Sequence, residues 1–158
     1  MVQLGFGQLY NSVYIYPWDI TSKVLELLDN LELEDYVTII TSQNFIINRV
    51  NVNIAAKIWN IEEKNKLYQT KFDWYTTEIG PKINNFIHGN TSDLLEIFLI
   101  YLLVIDTIDE LLTLDPMLPP EILPGNWLGP KVLSTLYKAK QTLAKLIPTD
   151  SIYHEFIE

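Results

Sequence analysis

The spacing of apolar residues changes repeatedly along this chain, and each change predicts an element. From Leu9 to Tyr16 the residues mix Tyr, Val and Ile, then meet Pro17. That is strand composition ended by a residue with no backbone donor. Asp19 or Thr21 then caps a short helix whose apolar positions, Val24, Leu25, Leu27, Leu28 and Leu31, recur near the helical period. Tyr36-Val37-Thr38-Ile39-Ile40-Thr41 returns to β-branched composition and predicts a second strand. After Asn44 the pattern turns helical. Asn60 with Glu63 suits a capping arrangement. Ile61, Tyr68, Phe72, Tyr75 and Ile79 then form one stripe, and Gly80-Pro81 is expected to stop the helix. A short apolar turn from Ile83 to Ile87 leads to His88-Gly89-Asn90, and Ser92 or Asp93 opens the longest helix. That helix carries an unbroken apolar run from Ile97 to Ile105. Apolar residues on all sides predict burial on all sides, which places it at the centre of the fold.

The segment from Leu114 to Gly129 breaks every period. Pro116, Pro119, Pro120 and Pro124 each fix φ and remove a donor, so neither a helix nor a central strand runs through it. Leu114, Leu118, Ile122, Leu123 and Trp127 are too apolar for a disordered linker. A rigid irregular strap is expected, joining two helices and laying its leucines and tryptophan on the core. Gly129-Pro130 opens the last helix. Its inward residues are Val132, Leu133, Leu136, Leu143 and Ile147, Lys131, Lys138, Lys140 and Lys145 face water, and Pro148 closes it. Ile152, Tyr153 and Phe156 are expected to anchor a last turn. The sum is an α+β chain: a strand-helix-strand unit over residues 1–47, then a mainly α-helical domain over residues 48–158.

Composition narrows the function classes. The net charge is −9, and the one arginine is Arg49. Such a surface repels phosphate backbones, so direct DNA contact by these residues is disfavoured. Without cysteine, disulfides, thiolate catalysis and cysteine–zinc sites are excluded. The opening residues do not read as a signal peptide, and the run from Ile97 to Ile105 falls well short of the roughly 20 residues a membrane helix needs. A cytoplasmic protein is expected. His88 and His154, the two histidines, sit in no nucleophile frame and at no metal-ligand spacing. Glu32, Glu34 and Asp35 read as a solvated acidic loop. No catalytic residue, metal ligand or cofactor is therefore assigned. Asp106 and Asp109 share a face at i and i+3, where the central helix either emerges into water or holds a coupled carboxylate pair. Trp18, Trp59, Trp74 and Trp127 are core residues first and candidate pocket lining second.

The strap also carries a resemblance. Asp115-Pro116-Met117-Leu118-Pro119, Ile122-Leu123-Pro124 and Asn126-Trp127-Leu128-Gly129 resemble the C-terminal domain of the PaaX family, bacterial repressors of phenylacetic-acid degradation and their relatives. Leu4-Gly5-Phe6-Gly7-Gln8-Leu9 with Val13-Tyr14-Ile15-Tyr16-Pro17 is similar to the family's middle region. Ala56-Lys57-Ile58-Trp59-Asn60-Ile61, followed by Leu67-Tyr68 and Phe72, fits in the right order. The resemblance implies that residues 1–47 are the second half of a ferredoxin-like domain and that residues 48–158 are the helical C-terminal domain. It also implies a winged-helix DNA-binding domain upstream, and Met1 to Gly7 reads as the tail of a helix ending at a glycine, so a cut-down or naturally short protein is expected. A partial sheet leaves an edge and an apolar face uncovered, and a second copy is the simplest cover.

The expected function is the effector-sensing and dimerisation portion of such a repressor, touching DNA only through the missing domain. The effectors implied by the resemblance are acyl-coenzyme A thioesters. The candidate effector-binding residues are Trp59, Asp106, Asp109 and Trp127. Where relatives show a His and an Arg three residues apart, this chain has Asp106 and Asp109, a reversal of charge that works against an anionic ligand. Two alternatives stand beside this one: a ferredoxin-like metal-dependent nuclease, whose metal-binding aspartate would sit on a strand lacking here, and a free-standing interaction protein.

Overall fold

The stretch from Leu9 to Tyr16, expected as one strand, folds back on itself. In the computed structural model, which describes residues 5–42, 50–89 and 93–157, β1 (Gly7–Tyr10) pairs antiparallel with β2 (Val13–Ile15). The register is Gly7 to Ile15, Gln8 to Tyr14 and Tyr10 to Val13, with a bulge between Gln8 and Tyr10. The missed signal is Asn11-Ser12, two turn formers inside an otherwise strand-like run. The Gln8 side chain donates to the Asn11 carbonyl at 3.0 Å across that turn.

Helix α1 (Thr21–Asn30) follows, with Val24 and Leu28 buried at the helical period. Asp19 accepts from the Thr21 amide at 3.1 Å, which holds its carboxyl below the usual range. The second expected strand does not form. Glu34–Tyr36 is a 3-10 turn, Val37 enters extended geometry, and residues 37–42 join no ladder among the described residues. A β-branched run specifies extended backbone but not a neighbour, and the described part of the chain offers none. Among the described residues the expected strand-helix-strand order is thus strand-strand-helix. The expected helix tail from Met1 to Gly7 and the onset of helix after Asn44 lie partly outside the described residues. Helix α2 (Val52–Ile58) is capped by Asn51, whose side chain accepts from the Asn53 and Ile54 amides at 3.0 and 3.1 Å. Replacing Asn51 by alanine removes that cap and is expected to lower stability by about 1 kcal/mol in chemical denaturation.

The helical part begins at α3 (Ile61–Trp74). The expected cap at its start works differently: Asn60 is left-handed at φ 52° and its amide donates to the Glu63 carboxylate, leaving the backbone uncapped by side chains. Gly80-Pro81 does not stop the helix. Tyr75–Ile79 widens into a π-helical turn and α4 (Gly80–Ile87) continues with Pro81 in its first turn. A proline ring clashes with the carbonyl four residues back in an ordinary helix, and the wider turn relieves that clash. Helix α5 (Leu94–Leu114) is capped by Asp93, whose carboxylate accepts from the Leu95 and Glu96 amides; the alternative cap, Ser92, lies outside the described residues. Helix α6 (Gly129–Leu146) ends before Pro148.

Two compact units result. One comprises Met1–Trp59 with Pro116–Pro124, the other Asn60–Asp115 with Gly125–Glu158. The strap is therefore divided, with Leu118 buried in the first unit and Trp127 packed in the second. The second unit holds the large core. Tyr101, Val104, Ile108 and Leu111 of α5 pack with Val132, Leu136 and Leu143 of α6. Ile79, Ile83 and Phe86 join them. Lys131 lies 4.2 Å over the Phe72 ring, using its charge where its stem crosses apolar surface. The last turn holds on through Tyr153, whose ring stacks on Phe98 at 4.8 Å, while Ile152 and Phe156 stay exposed.

One expectation fails clearly. Helix α5 is not buried all round: Leu95, Leu99, Leu102 and Leu103 are exposed. The architecture is α+β, a two-stranded antiparallel sheet followed mainly by helices. Among the described residues no helix is long and apolar enough to cross a membrane.

Candidate functional site

Among the described residues each unit has a node where buried aromatic rings meet backbone turns. In the helical unit it forms where α5 ends and α6 begins. Lys64, Asn65 and Tyr68 present one face of α3 to that junction. The Lys64 ammonium donates to the Leu114 carbonyl at 2.6 Å, satisfying an orphan acceptor at the negative end of α5. The Asn65 amide donates to the Asn126 carbonyl at 3.1 Å, and its oxygen accepts from the Leu128 amide at 2.9 Å. One side chain thus pins two backbone groups of the strap's end. The Tyr68 hydroxyl donates to Asp115 Oδ2 at 2.5 Å. Burial, then the adjacent Asp115 carboxylate, drives the Tyr68 hydroxyl far above its ordinary pKa, so it stays protonated. Trp127 stands edge-on to the Tyr68 ring at 5.1 Å and 73°. Gly129 completes the node, because a Cβ there would fall 2.6 Å from Trp127 Nε1 and 3.3 Å from Asp115 Oδ2. The Asp-Pro and Trp-x-Gly pieces of the strap therefore have one physical explanation. Asp115 takes a buried hydroxyl, Trp127 covers it, and Gly129 lets the indole lie against the first turn of α6.

In the first unit the node is Trp59. Its indole N–H donates to the Gly5 carbonyl at 2.9 Å, and only 6% of its surface is exposed. Gly5 is left-handed at φ 85°. A Cβ at Gly7 would lie 2.1 Å from Ile58 Cγ2 and 2.6 Å from the Trp59 ring. The two glycines of the Gly-Phe-Gly piece thus have separate tasks, one in a turn and one in a contact too tight for a side chain. Phe6 packs on Tyr16 at 5.2 Å. Trp18 Nε1 donates to the Met117 carbonyl at 2.5 Å, and Met117 sits at a positive φ of 49°. The strap residues of this unit are held through that bond and the buried Leu118.

The four candidate effector residues fall in both units. Trp59 belongs to the first unit, and Asp106, Asp109 and Trp127 to the second. Trp59 and Trp127 are engaged in packing. Asp106 and Asp109 are exposed on one face of α5, where the helix emerges into water. Tyr68 was legible as an inward residue and Asp115 as part of the Asp-Pro piece, but their pairing and the role of Asn65 were not. A carboxylate placed between a helix end and a proline was the available clue, since such a group needs a donor if it is drawn inward. Asp29, Glu32, Glu34 and Asp35 line a shallow acidic concavity in the first unit. Among the described residues no group of three His, Cys, Asp or Glu side chains is placed to hold a metal ion.

Comparison with known families places both halves of the chain. Residues 1–53 match the PaaX protein central Cas2-like domain, and residues 59–147 match the PaaX-like protein C-terminal domain. Neither a curated protein nor a solved structure matches.

Proposed function

From the chain's membership of the PaaX family, we propose that these residues form the effector-sensing and dimerisation portion of a PaaX-like transcriptional repressor. The observation that carries the reading is the ordered pair of domain matches, central then C-terminal, over one continuous chain. Contact with DNA falls to a winged-helix domain outside these residues. The charge of −9 supports that division, since phosphate contact depends on lysine and arginine.

Dimerisation is supported by the first unit. Its described sheet has two strands, fewer than the three or more that independent stability usually needs. Val24, Leu28, Ala55, Trp59, Pro116 and Leu118 are its buried apolar side chains among the described residues. Tyr36 and Ile40, at 83% and 82% exposure, flank a β-branched segment that joins no ladder. A second copy, pairing through this region about a two-fold axis, would cover both the apolar groups and the free backbone. The setting is cytoplasmic, and the chemistry is binding.

The effector is an acyl-coenzyme A thioester or a related acid derivative. It binds away from Asp106 and Asp109, whose charge repels its phosphates. A thermal-shift panel of acyl-coenzyme A thioesters tests this. At a hundredfold excess over its dissociation constant, a true effector adds about 2.7 kcal/mol. For a chain of this length that raises Tm by about 5–10 °C. No shift with any thioester, at saturating concentration, removes the sensing role.

A further inference from the structure

Helix α5 has two faces of unequal fate. Ile97, Ile100, Tyr101, Val104, Thr107, Ile108 and Leu111 are buried. The opposite face carries Leu95, Leu99, Leu102 and Leu103, at i, i+4, i+7 and i+8, all exposed. Leu99 alone keeps 54% of its surface in water. The same face then continues into Asp106 and Asp109, also exposed. Four leucines on one face are no accident of scattered surface apolar residues, which occur singly. They form a continuous strip that ends in a fixed negative charge.

The charge decides what fits there. From Leu94 to Leu114 there is no lysine or arginine. Glu110 is bridged by Lys71 at 2.6 Å and Glu96 approaches Lys82 at 3.9 Å, but Asp106 and Asp109 join no ion pair among the described residues. A second copy laid parallel on the strip would set Asp106 against Asp106. Laid antiparallel about Leu99, it would bring Asp106 to the Asp93 end of the partner helix. Both pairings oppose carboxylates. An anionic ligand is repelled by the same aspartates. What complements leucines followed by carboxylates is an apolar helical stripe followed by cations.

We propose that the solvent face of α5 is a docking strip for an amphipathic helix of another protein, one whose apolar stripe runs into lysine or arginine. The leucines supply buried area, and Asp106 and Asp109 fix the direction of the bound helix. This strip lies wholly in the helical unit and does not depend on the dimer proposed above.

The test uses the full chain and a fluorescein-labelled synthetic peptide with leucines on one helical face and lysines filling the next turn. Both orders of the two blocks are compared, as is a control with glutamates replacing the lysines. Fluorescence anisotropy is expected to give saturable binding of the lysine peptides, the two orders docking in opposite directions, and none of the glutamate control. Leu99→Asn with Leu103→Asn is expected to weaken it by at least about tenfold. Asp106→Lys with Asp109→Lys is expected to do the same and to flatten the salt dependence. Charge reversal at Glu34 and Asp35, exposed in the other unit, is expected to leave binding unchanged. All these positions are exposed, and circular dichroism checks that each variant is folded. The proposal is overturned if no lysine peptide saturates, if the glutamate control binds as well as the lysine peptides, or if reversal at Glu34 and Asp35 weakens binding as much as reversal on α5.

Discussion

Replacing Tyr68 by alanine is expected to lower the unfolding free energy by about 3–5 kcal/mol, a loss that urea titration reads directly. Tyr68 is 2% exposed, so the deleted ring leaves a cavity between α3 and the core. It also leaves Trp127 without its edge-on neighbour and removes the hydroxyl that Asp115 accepts. Tyr68→Phe separates these effects. It keeps the ring and removes only the hydroxyl, at an expected cost of about 1–3 kcal/mol. The two tyrosine states also predict a pH dependence. The folded protein holds the Tyr68 proton well above the ordinary value near 10, chiefly because of burial and then because of Asp115. This contribution is complete below the unfolded pKa. As pH rises past about 10 the unfolded chain releases its proton and the folded chain does not, so stability falls. The stability gap between the wild type and Tyr68→Phe is therefore expected to narrow on the alkaline side. A gap that stays constant through that range contradicts the assignment.

Trp59→Ala is expected to be comparably damaging, at about 3–5 kcal/mol. The indole fills the space that Gly7 leaves open and donates to the Gly5 carbonyl at 2.9 Å. Trp59 was also a candidate for effector contact, and the two roles differ in measurement. As a structural residue, Trp59→Phe retains most packing and loses one hydrogen bond, so its Tm falls modestly while any thioester-induced shift persists. An effector contact would show the reverse, a near-normal Tm with the ligand shift abolished. Gly7→Ala provides a second probe of the same contact. Its Cβ would sit 2.1 Å from Ile58 Cγ2, well inside any real contact, so the sheet and α2 must separate.

Much of this architecture is legible in the sequence because helices advertise themselves by period. The inward stripes of α3 and α6, the cap at Asp93 and the closing Pro148 all follow from spacing and from the chemistry of orphan backbone groups. The strap was recognisable as rigid because four prolines forbid regular structure while its leucines forbid disorder. What the sequence hid has physical causes. Asn11-Ser12 is a weak turn signal between strong strand formers, so a hairpin read as one strand. Residues Val37 to Thr41 have every local property of a strand, yet a ladder depends on a neighbour that local composition does not encode. Pro81 usually ends a helix, and only a widened turn upstream lets the chain pass. The exposed leucines of α5 were read as core because nothing in a run of apolar residues distinguishes a face that meets its own chain from one left in water. The Tyr68–Asp115 pair was hidden for the opposite reason. Its two members lie 47 residues apart, and neither is unusual alone.

Among the described residues the first unit is incomplete by itself, with a short hairpin, a β-branched segment outside any ladder and few buried apolar groups. Sedimentation velocity over a wide range of protein concentration tests that claim most directly. The expected result is a self-associating species at twice the 18.4 kDa chain mass, dissociating on dilution. A single 18.4 kDa particle that stays monomeric and cooperatively folded at every concentration contradicts it.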